Sequence, residues 1–202
     1  MNRWQIFAVL ALSSLFNGAK ANSQATLPEQ NENAPHLQCY SGSTTIDLLR
    51  LLARARKGEA SAQFWAGAAF DQGWCGKPDF EKALLWYTAA AEQGDADAQN
   101  SLGQMYEDGR GVKQDYFFAA AWYRKAAEHV PDLGGAGQGR NNLGLLHMQG
   151  LGVPPDFVRA YMWFLLAGTE GNLRQAKTKM TSSQVFQAEQ MAKNWIKAHP
   201  GR

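Results

Sequence analysis

A chain of 202 residues, 45% of them hydrophobic, is long enough to bury one domain core or one short array of repeats. Its 20 glycines and plentiful alanines, set against 7 prolines, favour closely packed helices over a sandwich of strands. The formal net charge is +2; Arg3 and Lys20 of the 20 basic residues lie in a removable first segment, which leaves 18 against 18 acidic residues, so no basic face for nucleic acid or anionic lipid is expected.

That first segment, residues 1–21, has the layout of a cleaved secretory signal. Arg3 supplies a positive start, Ile6–Leu12 an apolar run, and Ala19-Lys20-Ala21 an A-x-A cleavage site. The run is too short for a lasting membrane anchor, and no membrane span is expected after cleavage. Export, to the periplasm or beyond, follows as an expectation. Residues 22–43 are polar, carry two prolines and read as a flexible leader.

A helix is expected over 44–57, capped by Thr44 or Thr45. Its Leu48, Leu49, Leu51 and Leu52 would cover the segment that begins at residue 58. The only two cysteines are Cys39 and Cys75. In an exported chain an even count suggests a disulfide, which would close a 36-residue separation and stabilise the fold by about 3–4 kcal/mol in the chain-entropy model. Two free buried thiols are the alternative.

From residue 58 the chain repeats itself. At a spacing of 36, Ala62-Gln63 falls on Ala98-Gln99, Gly67 on Gly103, Gly73 on Gly109, Asp79 on Asp115, and Trp86-Tyr87 on Trp122-Tyr123. At a further 41, Leu102-Gly103 meets Leu143-Gly144, Gly109-x-Gly111-Val112 meets Gly150-x-Gly152-Val153, and Trp122-Tyr123 meets Trp163-Phe164. A fixed period of this length marks a solenoid. The copies are expected at 58–93, 94–138 and 139–170, the second carrying the five extra residues in an extended loop over His129–Gly139. Within each copy, small and apolar residues at helical spacing predict two helices separated by a glycine turn, the second capped by aspartate. Residues 171–202 predict a C-terminal capping helix opened by Ser182 or Ser183, with Val185, Phe186, Met191 and Trp195 on its apolar side.

The pattern A-Q-x-x-L-G-x-x-Y-x-x-G-x-G-V-x-x-D followed by A-x-x-W-Y-x-x-A-A, nearly complete over Ala98–Ala127, resembles the Sel-1-like repeat. Copy three keeps most of it. Copy one departs at Gly73-Trp74-Cys75-Gly76. The resemblance implies an all-α fold, a right-handed solenoid of antiparallel helix pairs, acting as an adaptor for a protein partner that the sequence does not identify. As in other helix-pair solenoids, the first helix of each pair would line the concave face. Asn100, Gln104, Glu107, Asn141 and Met148 are then candidate partner contacts.

Phe64-Trp65 stand where the other copies carry Asn100-Ser101 and Asn141-Asn142, which suggest an exposed surface. The aromatic pair either meets the N-terminal capping helix, the favoured reading because a first repeat needs cover, or marks a binding patch. The repeated pairs Trp86-Tyr87, Trp122-Tyr123 and Trp163-Phe164 read as core.

No catalytic signature emerges: there is no G-x-S-x-G, S-x-x-K or H-E-x-x-H. His36, His129, His147 and His199 are scattered without metal-ligand spacing, so no cofactor or metal is expected and the chain is not expected to be an enzyme. Two alternatives stay open. Some exported relatives bind cell-wall peptides or hydrolyse β-lactams, though these carry a cysteine pair in every repeat. Flagellar stator components of the MotX type share the size, signal, repeats and paired cysteines.

Overall fold

A computed structural model describes residues 38–41, 44–129 and 134–200, with side chains from Asp47 onward. All of them fall in the compact unit His36–Arg202; the expected signal segment and most of the expected leader, residues 1–37, lie outside the described residues.

The described chain opens with a small antiparallel hairpin, β1 (Gln38–Ser41) against β2 (Thr44–Asp47), in which Gln38 faces Asp47 and Ser41 faces Thr44. This corrects the expected start of the first helix. Thr44-Thr45-Ile46 is a β-branched run, stiff at χ1 and suited to a strand. Helix α1 (Leu48–Arg56) begins only after Asp47, whose carboxylate accepts from the Arg50 N–H at 3.0 Å.

Three helix pairs come next: α2 (Ala60–Asp71) with α3 (Phe80–Glu92), α4 (Ala96–Asp108) with α5 (Tyr116–Ala127), and α6 (Gly135–Gln149) with α7 (Phe157–Ala167). A short α8 (Glu170–Lys177) and a long α9 (Ser182–Ala198) end the array. Each helix packs on its predecessor from α1 to α8, α4 also packs on α6, and α9 returns onto α7. The result is an α-solenoid. Asp79, Asp115 and Asp156 cap the second helices through their carboxylates, as the spacing demands. Thr181, not Ser182 or Ser183, caps α9, and Gln184 completes a capping box.

The core of each pair is a ring set into a glycine. A Cβ on Gly67 would lie 2.5 Å from the Tyr87 ring, and one on Gly144 2.5 Å from the Phe164 ring; at Gly103 the Tyr123 ring is closer still. A side chain on the first helix is therefore excluded by the aromatic residue on the second. The turn between helices uses glycine differently. Gly111 and Gly152 have φ of +69° and +66° and press on the backbone of Phe80 and Tyr116, the first residues of the preceding pair's second helix. Cys75 occupies the corresponding place in copy one.

Copies are joined by a repeated polar tie. Gln63 Nε2 donates to the Ala55 carbonyl at 3.1 Å, Gln99 Nε2 to Ala91 at 3.1 Å, and Arg140 Nε to Ala127 at 3.0 Å. Each reaches back to a last-turn carbonyl of the preceding helix, a group that helix geometry leaves without an intrahelical donor.

The glycine-rich stretch also needs correction. The expected loop over His129–Gly139 ends at Gly134, and Gly135, Gly137 and Gly139 are helical. Here glycine serves close approach: a Cβ on Gly135 would strike the backbone of Ala96 and Asp97, and one on Gly139 would lie 2.7 Å from Ala126 Cβ. At the ends, α1 covers Ala62 and Ala66 with Ala55, Leu51 and Leu52, while α9 lays Trp195 edge-on to Trp163 at 6.3 Å.

Gly103→Ala is expected to destabilise the protein by about 1–3 kcal/mol, since overpacking against a buried ring outweighs the helix-propensity gain of about 1 kcal/mol. Gly171→Ala on α8, where a Cβ meets nothing within 4 Å, is expected to be neutral or stabilising. Urea unfolding of both variants checks the contrast; equal effects would refute it.

Candidate interaction face

The sequence-selected residues lie on the first helices α2, α4 and α6, where they are buried to different degrees. Asn100 is 2% exposed, which corrects the expectation that its position lies on an open surface. Its amide donates to Gln138 Oε1 at 2.9 Å, and its oxygen accepts from Asn142 at 3.1 Å. Asn141 is half-buried. It accepts from Asn172 on α8 at 2.6 Å and donates to Asn142 at 3.4 Å. The five side chains thus form a continuous amide ladder across α4, α6 and α8.

Glu107 is half-buried and receives the Tyr123 hydroxyl at 2.5 Å, so its carboxylate serves the core of its own pair. Met148 is half-buried against the apolar cluster of the third pair. Gln104 is half-buried on the same helix as Asn100.

Phe64 and Trp65 part company. Phe64 packs into the first pair, 5.9 Å from the Tyr87 ring. Trp65 remains 51% exposed. Its ring lies 5.1 Å from Phe64, edge-on, and 6.2 Å from Trp74 at a 34° tilt. Helix α1 packs on the alanine stripe Ala62, Ala66 and Ala69, and Trp74, the ring beside Trp65, packs against the cluster of Leu48 and Ala69 there. Alanine on α2 admits the leucines of α1 at short range, while Phe64 turns into the first pair. Trp65, at the position of Ser101 and Asn142 in the later copies, and Trp74 make an aromatic platform in copy one.

Several polar groups were not singled out from the sequence. Asp71 is buried and paired with Arg110 from the turn of the next copy. Burial pushes the Tyr87 hydroxyl well above its usual range, and the Asp71 charge adds to the effect. Burial, then the bond to Glu107, does the same for Tyr123. Arg140 is buried, donates also to His129 and Leu166 carbonyls, and lies 4.7 Å from the Trp195 ring centroid. Its place at the glutamine position of the repeat was visible from the register of the copies; the extra carbonyls created by the insertion were not.

Among the described residues no group of three His, Cys, Asp or Glu side chains is placed to hold a metal ion. The open pockets of the described residues include one of about 140 Å³ lined by Leu48, Phe70, Gly73, Cys75 and Lys82, and one of about 360 Å³ lined by Lys177, Met180, Ser182, Val185, Phe186 and Glu189. No described helix is long and apolar enough to cross a membrane.

His147 is buried in α6, and its Nδ1 has no hydrogen-bond partner among the described residues. Burial lowers its pKa from 6.5, opposed by a hydrogen bond to the Pro154 carbonyl. Below about pH 6.5 the unfolded chain takes up this proton before the folded one does, so stability falls with pH.

Comparison with known proteins places this geometry. The family model described as "Sel1 repeat" matches residues 60–95, 96–129 and 138–172. A crystal structure of a protective antigen present in uropathogenic Escherichia coli strains, displaying an SLR fold, is 39% identical, covering 62% of this chain and 26% of that one, with a TM-score of 0.56. A Sel1 repeat protein from Oxalobacter formigenes is 32% identical, covering 63% of this chain and 51% of that one, with a TM-score of 0.54. The chain therefore spans between a quarter and a half of the length of these proteins. No curated protein matches it.

His147→Phe is expected to flatten the loss of stability between pH 7 and pH 5. Urea midpoints of wild type and variant across that range check this; parallel declines would show that His147 does not drive it.

Proposed function

Because the chain belongs to the Sel1 repeat family, we propose that it is an exported, non-catalytic scaffold that holds a protein partner on its first-helix face. One observation carries the reading. The positions that match between copies build the solenoid: the ring-filled glycines, the aspartate caps and the reach-back ties. The first-helix positions 64–65, 100–101 and 141–142, where copy one departs from the other two, supply a tryptophan platform at one end and the amides at the other. A face that differs from copy to copy on a uniform frame can recognise an irregular partner.

Export rests on the layout of residues 1–21, and similarity to a protective antigen is in keeping with it. In that setting Cys39 and Cys75 pair as a disulfide, a reading supported by the absence of a free cysteine among the described residues. The bond gives Cys75 a purpose at the place where Gly111 and Gly152 press on a preceding helix: it ties the first turn to the hairpin.

A thiol titration of the oxidised protein under denaturing conditions is expected to find no free thiol; two would remove the bond and leave the solenoid. A photo-crosslinker at Gln104 is expected to trap a discrete protein from envelope extracts, whereas one at Leu85, exposed on a second helix, is not. Equal trapping at both positions, or none at Gln104, would contradict the assignment of the face.

A further inference from the structure

Helix α9 carries two stripes. Ala188, Met191, Ala192 and Trp195 form the first and pack into the apolar cluster shared with α7. The second is open to solvent. Phe186 is 62% exposed and Ile196 57%, both large apolar side chains. Between them Lys193 is exposed and Glu189 half-buried. Neither makes an ion pair among the described residues, although they stand one turn apart.

The intervals from Phe186 to Glu189, Lys193 and Ile196 are three, four and three residues. That alternation is the spacing of a coiled-coil seam, with Phe186 and Lys193 at a positions and Glu189 and Ile196 at d. At 3.6 residues per turn the four side chains fall within about 80° of arc. The order of the residues selects the partner. In a parallel pair of copies each position would meet itself, setting Glu189 against Glu189 and Lys193 against Lys193, which like-charge repulsion disfavours. In an antiparallel pair each a position meets a d. Phe186 then lies on Ile196 at both ends of the seam, and Glu189 meets Lys193 twice in the middle. A two-fold axis crosses the seam at the level of residue 191, and every member finds a complement, as an isologous interface requires. The open pocket of about 360 Å³ lies beside Phe186 and Glu189, with Lys177 and Met180 across from them. Ile196 of the second copy would arrive there.

We propose that two copies of this chain pair through α9, antiparallel, with Phe186 on Ile196 and Glu189 on Lys193. From Phe186 to Ile196 the seam runs only about 15 Å at 1.5 Å per residue, so the dimer is weak and forms as concentration rises. The inference goes beyond the scaffold reading and does not rest on it, because α9 packs on α7 and leaves the first helices untouched.

Sedimentation equilibrium of the full chain from about 1 µM to about 1 mM tests it, with half-association expected at about 10–100 µM for so small a contact. Glu189→Lys and Lys193→Glu alone should each weaken association at least about tenfold, since each sets like charges opposite one another. Mixed in equal amounts, the two variants should associate again, because one then presents two lysines to the two glutamates of the other. Phe186→Ala should weaken the wild-type dimer about tenfold. Circular dichroism should be the same for all of these chains, and recovery in the mixture cannot come from misfolded parts. A monomer at every concentration, a dimer indifferent to charge reversal or to Phe186→Ala, or a mixture no more associated than its components would each overturn the proposal. Crosslinking at Gln104 reads a different surface, so either reading can fail without the other.

Discussion

Everything in this array depends on an aromatic ring occupying the space that a Cβ would need. Gly67, Gly103 and Gly144 stand on the first helices where Tyr87, Tyr123 and Phe164 arrive from the second. Removing one methyl group from the first helix lets the two backbones close until the ring is buried on all sides. Glycine costs a helix about 1 kcal/mol relative to alanine, while burying a large side chain returns about 1.5–3 kcal/mol. The exchange is favourable only if the ring fills the gap fully. Tyr123 and Phe164 do so, with no measurable exposure, and Tyr87 nearly so. The two buried hydroxyls are then drawn to carboxylates on the first helices, Tyr123 to Glu107 and Tyr87 to Asp71.

Pairs made in this way still have to stack. The reach-back tie does this by matching one side-chain donor to one last-turn carbonyl of the preceding helix. Gln63 and Gln99 need a single amide. At the third pair the insertion adds carbonyls, and a guanidinium with five donors replaces the amide. Arg140 thereby gathers α5, the inserted segment, α7 and the capping α9 around one group. With the core and the ties so occupied, the first-helix face is the part of each copy free to vary. The contrast between Trp65 and the asparagines is the consequence.

Much of this was legible in the sequence. Repeats show themselves because the same ring, glycine and aspartate recur in register, and the candidate face followed from the first helices of each pair, with Phe64 and Trp65 marked by disagreement between copies. What the spacing could not tell was depth. Asn100 looked like surface because asparagine usually is; it is buried because Gln138 and Asn142 satisfy its amide from a neighbouring helix. Asn172, which extends the ladder, lies on α8, outside the three repeated helix pairs. The glycines over 135–139 read as a loop because glycine weakens helices, yet here they allow α6 to lie against Ala96 and Ala126. Thr44-Thr45 read as a cap by residue type alone, where the β-branched run decided for a strand. For Asn100 and the glycines a contact between distant segments outweighed a local preference.

The central claim, that ring and glycine form one unit, is tested most directly by a double-mutant cycle between Gly103 and Tyr123, read by urea unfolding. In the native background Gly103→Ala meets the ring. In a Tyr123→Leu background the ring is gone, and the same alanine gains helix propensity with nothing to strike. The account predicts that the alanine changes from destabilising to neutral or stabilising, with a coupling of about 1–3 kcal/mol. Additive effects, with the alanine costing the same in both backgrounds, would contradict it.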